Sequence, residues 1–180
     1  MPMSWQDQLR GDPFPWLLEP DSPGARYLAL RDLLDRNPEL AAACEAAHTR
    51  GPIAAVLAEM DPAGFWAEPG PGYFPKYKST VWSIALLAQL GASSGQDERI
   101  ARACAYLLDH TLVADKFTMT GAPSGTLICL QGNLCAALVD LGYDDPRLAA
   151  AYDWMARTGT GEGIAPLEDK HAPVRYYAGT

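Results

Sequence analysis

At 180 residues the chain has one domain's length and enough mass to bury a core. Apolar residues make up 48% and charged residues 20%, which excludes the composition of a disordered chain. Fourteen Lys and Arg against 22 Asp and Glu leave a formal net charge of −8 with no basic run, so the electrostatic footprint for a phosphate backbone or an anionic lipid surface is missing, which argues against nucleic acid as a partner.

Residues 1–21, MPMSWQDQLRGDPFPWLLEPD, form an N-terminal arm that is charged and broken by proline where a secretory signal needs an unbroken apolar region. With no apolar stretch near the ~18 residues of a membrane helix, a cytoplasmic protein without a membrane span is expected. Ser22-Pro23 supplies a cap and a proline where its missing N–H costs nothing, and the stripe Tyr27, Leu28, Leu30, Leu33, Leu34 predicts a helix over 22–36. Asn37-Pro38 repeats the device and opens ELAAACEAAHTR, which Gly51 closes. These two helices make a first hairpin.

A short helix, PIAAVLAEM, leads to Asp61-Pro62-Ala63-Gly64-Phe65-Trp66 and a loop too rich in Gly and Pro for helix or strand. From Ser79, STVWSIALLAQLG predicts a helix apolar on nearly every side and therefore packed all round, ending at Gly91. Asp97 caps ERIARACAYLLDHT, whose stripe is Ile100, Ala103, Cys104, Leu107, Leu108. A third hairpin follows: LICLQGNLCAALVDLG ends at Gly142, and Asp145-Pro146 caps and starts RLAAAYDWMART before Gly159. Gly91 and Gly142 are 51 residues apart and Asp97 and Asp145 are 48 apart, in or near the ~20–50 residue range of stacked supersecondary units. No alternating strand pattern is visible, so the expected fold is all-α without a sheet. It is a single domain of αα-hairpin repeats over about 22–160, with a C-terminal loop segment at 161–180. Helices rich in Ala, Leu, Cys and Gly suit an inner layer, and the more charged ones an outer layer.

The stretch MDPAGFW, followed about fifteen residues later by TVWSIALLAQLG, resembles the QxxxGxW repeat of the squalene-cyclase and protein-prenyltransferase superfamily. Gly64 and Trp66 fit that repeat, and Met60 stands where it has Gln. CLQGNLCAALVDLGYDDPRL, Cys129 to Leu148, is similar to bacterial and archaeal proteins with prenyltransferase and squalene-oxidase repeats. The resemblance spans roughly residues 25–160. It implies an α/α toroid with an inner helical barrel, an outer layer and a central cleft. A closed ring there takes about twice the hairpins found here, which implies either a missing C-terminal half or self-association.

The chemistry of that superfamily is only partly represented. There is no Asp-x-Asp-Asp acid and no aspartate-rich Mg²⁺ motif, and Asp144-Asp145 reads as a turn and helix cap. Protein prenyltransferases hold Zn²⁺ with Asp, Cys and His from separate helices, which makes Cys129, Cys135, His110 and His171 the residues to weigh. Cys129 and Cys135 point about 120° apart on one helix and do not share an ion. Cys44, Cys104 and Cys135 suit packing, whereas Cys129 begins a helix, where a thiol pKa falls. The metal candidates are thus Cys129 and His110, and the catalytic candidates Cys129 and His171, the latter in a loop that also holds Glu168, Asp169, Lys170 and Arg175. Asp169 completes that set. In YFPKYKSTVW, Lys76 and Lys78 sit among Tyr73, Phe74, Tyr77 and Trp82 beside a helix start, a pattern for a diphosphate or a pinned aromatic loop. Trp66 and Trp82 either line an apolar cavity or wedge between hairpins. The expected function is an apolar, isoprenoid-like or thiol-bearing ligand held in the central cleft. The alternative is a non-enzymatic scaffold for a protein partner, and no cofactor is assigned.

Overall fold

The computed structural model describes residues 5–34 and 38–160. The chain is mostly helical: α1 (Phe14–Leu17), α2 (Pro23–Asp32), α3 (Leu40–Thr49), α4 (Pro52–Ala58), α5 (Thr80–Gln89), α6 (Glu98–Thr111), β1 (Leu112–Val113), β2 (Lys116–Phe117), α7 (Ile128–Asp140) and α8 (Arg147–Thr160). Two compact units divide it, Met1–Ala55 and Val56–Thr180, a boundary the sequence reading does not place.

In the first unit α2 and α3 pack together as the expected hairpin, burying Tyr27, Ala29 and Leu30 on one helix and Ala43, Ala47 and His48 on the other. α2 ends four residues earlier than predicted, and Leu33 beyond it is exposed. Ser22 makes no side-chain cap; the Arg26 guanidinium instead bonds Leu18 O and the Glu39 carboxylate and holds the helix entry. Asn37, the second predicted cap, lies outside the described residues.

In the second unit the loop before α5 is built on two glycines. Gly64 sits at φ +101°, and a Cβ there would lie 3.0 Å from Arg102 O. Gly72, at φ +67°, has its carbonyl accepting from Val81 N–H at 3.0 Å and from the Ser79 hydroxyl at 2.6 Å. Ser79 thus ties the loop to α5 rather than capping the helix with its own side chain.

α5 packs on α6 and α7, and α7 on α8. Ile84, Leu87, Leu107, Leu108, Leu134 and Leu138 are fully buried core side chains of this unit. The predicted stripe of α6 is buried in full, and Asp97 Oδ1 accepts from Arg99 N–H at 2.9 Å as its cap. α8 begins the same way, with Asp145 Oδ1 accepting from Arg147 N–H at 2.9 Å. α5 and α7 also end alike, on glycines at φ +77° and +64°. In each case the amide beyond the glycine bonds back into the last turn: Ala92 N–H to Leu87 O at 2.9 Å, Tyr143 N–H to Leu138 O at 3.0 Å. Ser94 joins the two ends, donating its amide to Leu141 O at 2.8 Å and its hydroxyl to Gly142 O at 3.0 Å. α5 and α7 therefore lie side by side with the same polarity.

Two expectations are corrected. A small sheet exists: β1 and β2 pair antiparallel, Leu112 opposite Phe117, around a turn whose Ala114 and Asp115 have φ +47° and +65°. Two-residue strands are too short to show alternation, and Ala-Asp is not the Asn-Gly signal such a turn usually carries. α5 is also not packed all round. Leu86 is 43% exposed, because α6 and α7 cover only part of the helix.

Candidate functional site

The uncovered face of α5 and the adjoining face of α7 form a half-open cleft of about 510 Å³, within the range of small-molecule sites. Its floor is apolar: Val81, Ala85 and Ala88 from α5, Leu130, Leu134 and Ala137 from α7. On α7, Cys129, Asn133, Ala136 and Asp140 fall at intervals of four, three and four residues and so share one stripe along the cleft.

An aromatic cluster walls the end nearest the helix starts. Trp82 packs against Tyr73 and Tyr77, with ring centroids 5.4 and 4.9 Å apart, and its Nε1–H donates to Tyr73 O at 2.8 Å, fixing the indole. Tyr77, at φ +66°, is 78% exposed yet still lines the cleft. The Lys76 ammonium lies 5.5 Å from the centroid of the Tyr73 ring. Gln89 and Asp140, near the helix C-termini, supply polar groups at the opposite end.

Tyr73, Trp82 and Cys129, singled out separately in the sequence, are thus brought to one cleft. Lys76 and Lys78 are exposed and outside its lining. Trp66 is 3% exposed and structural: its Nε1–H donates to Val56 O at 2.7 Å and its amide to the Thr80 hydroxyl at 3.2 Å. His110 stacks on Tyr106 at 3.9 Å, with Nδ1 2.8 Å from Tyr106 O. No group of three or more His, Cys, Asp or Glu able to hold a metal ion exists among the described residues. Glu168, Asp169, Lys170, His171 and Arg175 lie outside the described residues.

Cys104 and Cys135 are buried, and desolvation pushes their thiols up to about 12 and about 11. Asp145 is held down at about 2 by hydrogen bonds from the Arg147 side chain and amide, as befits a cap, while Asp144 is exposed. Leu86, Asn133, Ala136 and Asp140 are cleft residues that sequence reasoning missed; the spacing of 129, 133, 136 and 140 was the signal for three of them.

Gln131 serves a different purpose. It is 1% exposed; its Oε1 accepts from Phe117 N–H at 2.8 Å and its Nε2 donates to Ala151 O at 3.1 Å, tying β2 and α8 to α7 behind the cleft.

A scan against protein-family models gives no match, and comparisons with curated proteins and with solved structures give none either. No helix among the described residues is long and apolar enough to cross a membrane.

Proposed function

We propose that Val56–Thr180 is a helical-hairpin module of the α/α-toroid kind that binds an apolar, isoprenoid-like small molecule between α5 and α7. The observation that carries this reading is the cleft of about 510 Å³ with a continuous aliphatic floor and an aromatic wall locked by the Trp82 to Tyr73 hydrogen bond. Leu86, 43% exposed, and Tyr77, 78% exposed, gather beside the Trp82 indole in this one groove, which supports reading it as a place where something binds. The toroid part of the proposal is supported by devices that recur in the same order: glycine-terminated α5 and α7, each followed by an Asp-capped helix, with the two apolar helices adjacent and of one polarity. The resemblance of MDPAGFW and of Cys129–Leu148 to squalene-cyclase and prenyltransferase repeats supplies the ligand class.

Thermal unfolding in the presence of farnesol tests it. A ligand present at a hundredfold excess over its Kd stabilises by about 2.7 kcal/mol, a shift of several degrees in Tm. The wild-type protein is expected to shift and Leu86→Glu, which sets a charge in the apolar wall, is expected not to. An unmoved wild-type Tm up to the solubility limit of farnesol refutes the proposal.

A further inference from the structure

We infer that the ligand of the α5–α7 cleft is an organic cation, an apolar chain with a protonated amine, whose head group lies at the Asp140 end. The inference rests on the cleft being a small-molecule site and adds the charge and orientation of what fills it. Asp140 is the one charged residue in the lining, and it is acidic; no Lys, Arg or His lines the cleft. The C-termini of α5 and α7, joined through Ser94, lie at that same end, where the helix dipoles are negative. Gln89 there and Asn133 further along the α7 stripe add polar partners for an ammonium head. The whole chain, at −8, reinforces the sign.

Orientation follows from the other end. The faces of Tyr73, Tyr77 and Trp82 attract cations in general, but the Lys76 ammonium already stands over Tyr73 at 5.5 Å. A second cation there meets like charge, so the aromatic wall takes the apolar chain. From Cys129 to Asp140 the α7 stripe runs about 16 Å at the helical rise, room for an extended chain from the wall to the carboxylate.

Three probes of one chain length separate the possibilities: dodecylammonium, dodecanol and dodecanoate, each titrated by calorimetry below its micellar concentration. Dodecylammonium is expected to bind tighter than dodecanol by up to about fivefold, the worth of one exposed charge pair, with dodecanoate weakest. Asp140→Asn is expected to abolish that preference. Asp144→Asn makes the same change in net charge outside the cleft and is expected to keep the preference, which separates a seated head group from general attraction to an acidic protein. Added salt is expected to shrink the preference. Dodecanoate binding as well as dodecylammonium, or an Asp140→Asn variant that keeps the preference, overturns the cation inference and leaves the cleft reading standing. Failure of all three probes to bind overturns both.

Discussion

Replacing Gln131 by Met removes the side chain that ties β2 and α8 to α7 behind the cleft. Met conserves the unbranched shape and volume of Gln and removes only its polar atoms. Phe117 is fully buried, so its N–H, which donates to Gln131 Oε1 at 2.8 Å, loses its acceptor with no water to replace it, a cost of ~1–3 kcal/mol. Ala151 O, 3.1 Å from Gln131 Nε2, sits inside α8 and keeps its helical role, so that loss is smaller, ~0.5–1.5 kcal/mol. Together the substitution costs about 2–4 kcal/mol. With a urea m-value of about 2 kcal/mol/M, the unfolding midpoint falls by roughly 1–2 M. Hydrogen exchange supplies a local reading: the Phe117 amide is expected to be protected in the wild type and to exchange much faster in the variant. A midpoint within about 0.3 M of wild type, with Phe117 still protected, refutes the reasoning.

Gly72→Ala is expected to destabilise by at least ~1–2 kcal/mol, because alanine is strained at φ +67° and its Cβ would lie 2.6 Å from Thr80 Cβ; an unchanged urea midpoint contradicts this. Asp145 titrates at about 2 in the folded chain, below the ~3.9 of an unfolded aspartate, so its stabilisation is complete above the unfolded value and disappears as pH falls toward 2. Asp145→Asn keeps a helix-capping acceptor but cannot titrate, so its stability is expected to fall less than wild type between pH 5 and pH 2, and equal falls refute the assignment. Iodoacetamide at pH 8 is expected to alkylate exposed Cys129 on the folded protein and to reach Cys104 and Cys135, raised to about 12 and about 11 by burial, only on unfolding; peptide mass mapping reads the order, and early loss of Cys104 or Cys135 contradicts it.

Helices were legible where a periodic stripe met a chemical stop, although Gly159, expected to end the last helix, lies inside α8, which runs to Thr160. α6 was bounded by Asp97 and read from Ile100 to Leu108, and the glycine ends of α5 and α7 followed from the need for positive φ. Less of the site was legible. Periodicity reports which positions are apolar, not which neighbour covers them, so α5 read as wholly packed although Trp82, Ala85 and Leu86 face the cleft. Trp66, in the loop before α5, is buried with its indole N–H on Val56 O, whereas Trp82, within α5, lines the cleft with its indole N–H on Tyr73 O, and residue type alone does not tell the two apart. The β1–β2 hairpin escaped because its pairing is fixed by backbone geometry at Ala114 and Asp115 and by Gln131, which is fourteen residues from the amide it accepts.

Amide chemical-shift mapping on ¹⁵N-labelled protein titrated with farnesol shows whether a small apolar molecule binds in the α5–α7 cleft. Saturable shifts are expected at the cleft residues Trp82, Ala85, Leu86, Asn133 and Ala136, with the Trp82 indole N–H among the largest and the α2–α3 hairpin unmoved. Saturable shifts centred elsewhere, or none, would contradict binding in the cleft.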